Sequence, residues 1–92
     1  MRGKWEIILD LLKNLEEKGE CKKTRLMQAT YLDWNSFKKY FNYLKENDYI
    51  KKLENNNGHN EDYNITKEGK KLLKELKDVE EILPDQKILK NN

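Results

Sequence analysis

The chain has 92 residues, of which 39% are charged and 36% hydrophobic, and its formal net charge is only +2. This length supports one modest core and excludes a second domain, so we predict a single domain over residues 1–92. One cysteine (Cys21) and one histidine (His59) cannot form a disulfide within the chain, a Cys/His zinc site or a common catalytic set. We therefore expect no cofactor, no metal and no enzymatic activity.

Hydrophobic runs are short throughout the sequence. None approaches the roughly 20 apolar residues that a membrane-spanning helix needs. An acidic residue, Glu6, comes too early for a secretory signal. We expect a soluble, cytoplasmic protein that does not contact membranes.

The first predicted element is a helix over residues 4–18. Apolar residues recur at helical spacing from Trp5 to Leu15, and Gly19 follows as a stop. Their arc spans about 200° of the helix surface, which is wider than one small core requires. We expect part of this helix to contact a second subunit.

Two further helices are predicted after a short extended segment. The second helix covers residues 24–30 with Thr24 as its cap, and a tight turn at Tyr31 follows. The third helix covers residues 33–47, with Asp33 as its cap and Leu32 placed for a hydrophobic staple. Its predicted buried stripe is Phe37, Tyr40, Phe41 and Leu44, and its predicted outer side is Asn35, Lys38, Lys39 and Asn42.

The last part of the sequence predicts a β-hairpin and a long helix. Strand-like stretches flank a loop rich in Asn and Gly, which predicts a hairpin over residues 49–66. Thr66 can also cap a C-terminal helix over residues 66–83, in which apolar residues recur at spacings of 4, 3 and 4, as in a coiled-coil seam. The seam is Leu72, Leu76, Val79 and Leu83. Residues 84–92 are polar, and we expect a mobile tail there.

The order of these elements is that of a winged helix-turn-helix. We therefore predict a mainly α fold with a small β-hairpin (α+β), in which the hairpin over residues 49–66 is the wing. The C-terminal helix would serve dimerisation, and we expect a homodimer formed through residues 4–18 and 66–83.

Several local strings are distinctive, namely Lys23-Thr24-Arg25-Leu26-Met27, Leu32 through Tyr40 with Leu44, Tyr49-Ile50, and Tyr63-Asn64-Ile65-Thr66-Lys67-Glu68-Gly69. They resemble the small archaeal winged-helix DNA-binding proteins, a family related to coiled-coil chromatin proteins and transcription regulators. In two places the chain departs from the family pattern. Asn47-Asp48 stands where the family usually has Gly, and both residue types tolerate the left-handed conformation. The wing tip is not basic, so wing contacts would be polar ones.

Positive charge is concentrated between residues 22 and 52, which hold eight cations and three anions. A basic segment confined to two helices and a strand predicts a surface for double-stranded DNA. On the third helix, amides can pair with adenine, and lysines with guanine or phosphate. The candidate DNA-binding residues are Lys22, Lys23, Thr24, Arg25, Trp34, Asn35, Ser36, Lys38, Lys39, Asn42, Lys51, Lys52 and His59.

Some of these assignments have plain structural alternatives. Trp34 can instead cover the edge of the core, and Asn35 and Asn42 can be ordinary surface residues. Lys51 and Lys52 alternate along a strand, so only one of them can face DNA.

Three functions fit this sequence. The first is a transcription regulator, a dimeric repressor that reads the major groove with the third helix. The second is an architectural DNA-binding protein that uses the same fold and charge without discriminating between bases. The third, of another class, is a winged-helix module for protein-protein interaction.

Overall fold

The computed structural model describes residues 3–53 and 62–83. Four helices and a small antiparallel sheet form the fold, which confirms the predicted architecture. In chain order the elements are α1 (Lys4–Lys18), β1 (Cys21–Lys22), α2 (Lys23–Thr30), α3 (Trp34–Glu46), β2 (Ile50–Leu53), β3 (Asp62–Ile65) and α4 (Lys67–Ile82). The predicted hairpin loop, with His59, and the predicted tail over residues 84–92 lie outside the described residues.

The sheet has three antiparallel strands in the order β1-β3-β2. Tyr63 of the central strand β3 lies opposite Cys21 of β1 and opposite Lys52 of β2. Alternate residues of a strand point to opposite faces, and Tyr63 and Ile65 are buried as predicted. The hairpin of β2 and β3 is thus confirmed, and β1 extends it by a third strand.

Helix α1 lies at the centre of the core. It contacts α2, α3, α4 and β3, and its leucines are at most 2% exposed. These leucines are Leu9, Leu11, Leu12 and Leu15. Because the rest of the chain covers the helix from several directions, the width of its apolar arc does not require a second subunit.

Helices α1 and α4 run antiparallel. Lys13 Nζ lies 3.8 Å from Glu80 Oε1, and Lys77 Nζ lies 4.0 Å from Glu16 Oε1. All four side chains are well exposed, so these ion pairs add little to stability.

The buried side of α4 differs from the predicted seam. Leu73, which lies outside the seam, is only 2% exposed and is the leucine that α4 contributes to the buried core. Leu72 and Leu76 are half-buried against that core. Val79 and Leu83 are exposed, at 36% and 50%. The seam is therefore shared between the chain's own core and solvent, because α4 turns Leu73 toward α1 and the sheet.

Helix α2 begins one residue earlier than predicted, and Thr24 is not its cap. The N-cap is Lys22, and no side chain caps the helix. Lys22 is also the last residue of β1, where it lies opposite Asp62. The chain therefore passes from the strand directly into the helix, so Thr24 already lies within the first turn.

The turn after α3 confirms that Asp48 can replace glycine. Asp48 has φ 61°, in the left-handed region, whereas Asn47 has φ −99°. Tyr49 N donates to Leu44 O at 2.9 Å and closes the end of the helix. This geometry turns the chain at the end of α3 so that it continues into β2.

Thr66 caps the N-terminus of helix α4, as predicted. The Thr66 hydroxyl accepts a hydrogen bond from Gly69 N at 3.0 Å, and Thr66 N donates to Tyr49 O at 3.0 Å. The first bond caps the helix, and the second connects the start of α4 to the turn that follows α3. Among the described residues, no helix is both long and apolar enough to span a bilayer.

Candidate nucleic-acid interface

Helix α3 has an aromatic side that is buried and a polar side that faces solvent. Phe37 and Phe41 are fully buried. Asn35, Lys38 and Lys39 are exposed, and Asn42 is half-buried on the same polar side. The predicted base-reading residues thus lie together on the outside of one helix.

The start of α3 is occupied by a carboxylate. Ser36 N donates to Asp33 Oδ1 at 2.8 Å, and Ser36 Oγ donates to Asp33 Oδ2 at 3.2 Å. The hydrogen bond from Ser36 N holds the pKa of Asp33 below its ordinary value. An ionised carboxylate here disfavours a phosphate at this helix end, and the Ser36 hydroxyl is engaged in the cap.

The start of α2 has the opposite character. No side chain caps it, so its first amide groups and the positive end of its dipole favour an anion. Lys22, Thr24 and Arg25 surround this end and are exposed. The structure therefore places three of the predicted phosphate contacts at one helix terminus.

Lys23 lies apart from these three residues and contacts aromatic rings. Its Nζ is 5.2 Å from the centroid of Trp34 and 5.2 Å from the centroid of Phe41. Lys23 is half-buried. Sequence analysis identified the lysine as a phosphate contact but gave no sign that it joins α2 to α3.

Arg25 lies about 200° around α2 from Lys23 and lines an open groove of about 810 Å³. Lys18, at the end of α1, lines the same groove, as do Lys22 and Asp62. Lys18 is absent from the predicted DNA contacts because the apolar pattern of α1 predicted only core packing and contact with a second subunit. The Cys21 thiol also borders this groove, and burial raises its pKa.

The two wing lysines lie on opposite faces of the sheet. Lys52 pairs with Tyr63, which is buried, whereas Lys51 pairs with Asn64, which is half-buried. Directly opposed residues share a face, so Lys51 lies on the outer face. Both lysines are exposed.

Within residues 3–53 and 62–83, no cluster of His, Cys, Asp or Glu has the geometry of a metal site.

A profile described as winged helix-turn-helix matches residues 1–83. Two uncharacterized proteins of Methanocaldococcus jannaschii are similar to the chain. One is 39% identical over 82 residues, covering 89% of this chain and 77% of that protein. The other is 36% identical over 86 residues, and the match spans 92% of this chain but only 37% of that protein.

Structure comparison gives the same architecture. Sso10a-2, a DNA-binding protein from Sulfolobus solfataricus, has a TM-score of 0.75 and 26% identity over 88% of this chain and 81% of that chain. A MarR family protein from Mycobacterium tuberculosis has a TM-score of 0.64 and 12% identity, over 79% of this chain and 55% of that chain. The expected resemblance to archaeal winged-helix proteins is confirmed by these relatives.

Proposed function

Because the chain belongs to the winged helix-turn-helix family, we propose that it is a DNA-binding transcription regulator, a cytoplasmic dimeric repressor that reads the major groove with α3. The observation that carries this proposal is the division of α3 into a buried aromatic side and an exposed side of amides and ammonium groups. A helix of this kind fits the major groove of B-DNA.

Both the polar side of α3 and the N-terminus of α2 would contact DNA. Asn35 and Asn42 would meet base edges, where an amide pairs bidentately with adenine, and Lys38 and Lys39 would meet guanine edges or phosphate. The uncapped start of α2 would take a backbone phosphate. The capped start of α3, which carries Asp33, would enter the groove without meeting phosphate.

Similarity to Sso10a-2 supports DNA binding, since that protein is described as DNA-binding. The likeness to the MarR family protein supports the fold alone, because the identity is only 12%.

Dimerisation is the second part of the proposal, and α4 would provide the contact. Ile82 is 75% exposed, and Val79 and Leu83 are also exposed. Such a stripe at the end of a helix favours burial against a second copy. In α1, half-buried Trp5 and Ile8 would extend this interface.

Replacing Ile82 by Glu tests the dimer. Because Ile82 is exposed in the single chain, the substitution should change monomer stability little but should place a charge in the dimer interface. Sedimentation should give the wild type a mass of twice the 11.2 kDa of the chain and should give the variant a mass of 11.2 kDa. Lys74→Glu, exposed on the same helix, is the matched control. A wild type that sediments as a single chain would contradict the dimer.

DNA binding is tested by titration against salt and by selection from random duplexes. If each subunit neutralises about four phosphates, log affinity should fall against log salt with a slope of about −7 for the dimer. Selection should enrich an inverted repeat, because a two-fold dimer places its recognition helices one DNA turn or a multiple apart. A slope near zero would contradict the neutralisation of phosphates on which this proposal depends.

The same experiment separates the alternatives. Tight, salt-dependent binding without an enriched sequence would identify an architectural protein. Failure to bind any duplex at low ionic strength would exclude both DNA-binding functions and favour the module for protein-protein interaction.

A further inference from the structure

The Trp34 ring is contacted by Phe37 and by Lys23, and the rest of the ring faces solvent. Trp34 is the first residue of α3, and its ring stacks on Phe37 with centroids 6.3 Å apart and an interplanar angle of 26°. Lys23 Nζ lies 5.2 Å from the Trp34 centroid and equally far from Phe41. Even so, Trp34 is 49% exposed. The fixed ring therefore presents an apolar surface to solvent at the start of α3.

Trp34 stacks on Phe37, which is fully buried, so the inner side of the indole helps to cover the core. Because about half of the Trp34 side chain still faces solvent, covering the core does not use the whole ring. The ammonium of Lys23 contributes through its attraction to the ring face, which orients the indole and connects the start of α2 to the start of α3. The contact with Lys23 thus orients the indole of Trp34, which packing against Phe37 covers only in part.

The chemistry around Trp34 limits what part of DNA can meet it. Asp33, the preceding residue, presents an anionic carboxylate held by Ser36, which repels phosphate. The first residues of a recognition helix meet base edges in the major groove. Among those edges, the apolar group is the C5-methyl of thymine.

We propose that Trp34 contacts the C5-methyl group of thymine, and that Lys23 is the positioning residue that holds the indole for this contact. The proposal rests on the proposed insertion of α3 into the major groove and assigns one element of its specificity. It gives the chain a preference for thymine over uracil in otherwise identical duplexes.

The test compares two alternating duplexes of equal length, one of dA with dT and one of dA with dU, which differ only in the methyl groups. Wild type should bind the dU duplex about four-fold more weakly per contacted methyl, the effect of burying one methylene-sized group. Trp34→Ala should bind both duplexes equally. Tyr31→Ala, which removes a 92% exposed ring at the preceding turn, should keep the wild-type ratio.

Lys23 is tested by the same affinity ratio. Lys23→Met should lower the dT-to-dU ratio toward one, and Lys23→Arg should retain it, because Arg also interacts with ring faces. Lys38→Gln should weaken binding to both duplexes and leave the dT-to-dU affinity ratio unchanged. A role limited to folding would not alter this ratio in a variant whose circular dichroism is native.

Each outcome has a definite meaning. Equal binding of both duplexes by wild type would overturn the methyl contact while leaving DNA binding intact. Retention of the wild-type ratio by Trp34→Ala would overturn it as well. Failure of both duplexes to bind would overturn the proposed function together with this inference.

Discussion

Exchanging Lys38 and Lys39 for Glu should lower duplex affinity by about 100-fold or more at low salt, because it replaces two phosphate-attracting charges by repelling ones. Both side chains are exposed on the polar side of α3. The fold should survive, since the contact of Lys39 Nζ with the Tyr40 ring, at 5.6 Å, is a surface one. Fluorescence anisotropy with a labelled duplex measures the loss, and circular dichroism verifies the fold.

The matched control is Lys70→Glu with Lys74→Glu, which makes the same change in net charge on exposed positions of α4. It should reduce affinity by only a few-fold, through the long-range field. If the two double variants bind equally well, α3 does not face DNA. If the variant with Glu at both α3 positions keeps all the partner binding of the wild type, the alternative of a protein-protein interaction module gains support.

Replacing Gly69 by Ala should destabilise the chain by about 2 kcal/mol, although Ala is the better helix former by about 1 kcal/mol. A Cβ at this buried position would collide with the Tyr49 carbonyl oxygen and would lie 2.7 Å from Ile65 Cγ1. Relieving that overlap costs about 1–3 kcal/mol. It also strains the hydrogen bond from Thr66 N to Tyr49 O. Urea unfolding at fixed protein concentration measures the difference.

Lys70→Ala is the control for helix propensity, since Lys70 is the next residue of α4 and is exposed. It should change the free energy of unfolding by less than about 0.5 kcal/mol. A Gly69→Ala variant as stable as the control would show that α4 can move away from the turn at no cost.

Local chemistry was the part of this fold that the sequence could predict. Asp33 and Thr66 are recognisable as caps because each is a short polar residue directly before a helical apolar pattern. The burial of Phe37, Phe41 and Leu44 follows from their spacing of three and four residues. The solvent-facing position of the polar side of α3 follows from the same spacing, and its role as a binding site stays a prediction.

The remaining features depend on contacts between distant residues. Thr24 looked like a cap because the strand pairing of Lys22 with Asp62 cannot be read from either segment alone. Leu72 and Leu73 are adjacent, and only the position of α1 decides which of them is buried. The contact of Lys23 with Trp34 joins two helices, and the sequence carries no local signal for it.

The central position of β3 makes the wing and the start of α2 parts of one body. β3 holds β2 on one side and β1 on the other, and Lys22 of β1 leads into α2 without an intervening loop. The position of β2 relative to the start of α2 is therefore set by strand pairing. Under the proposed DNA binding, these two elements would approach the duplex at a fixed spacing.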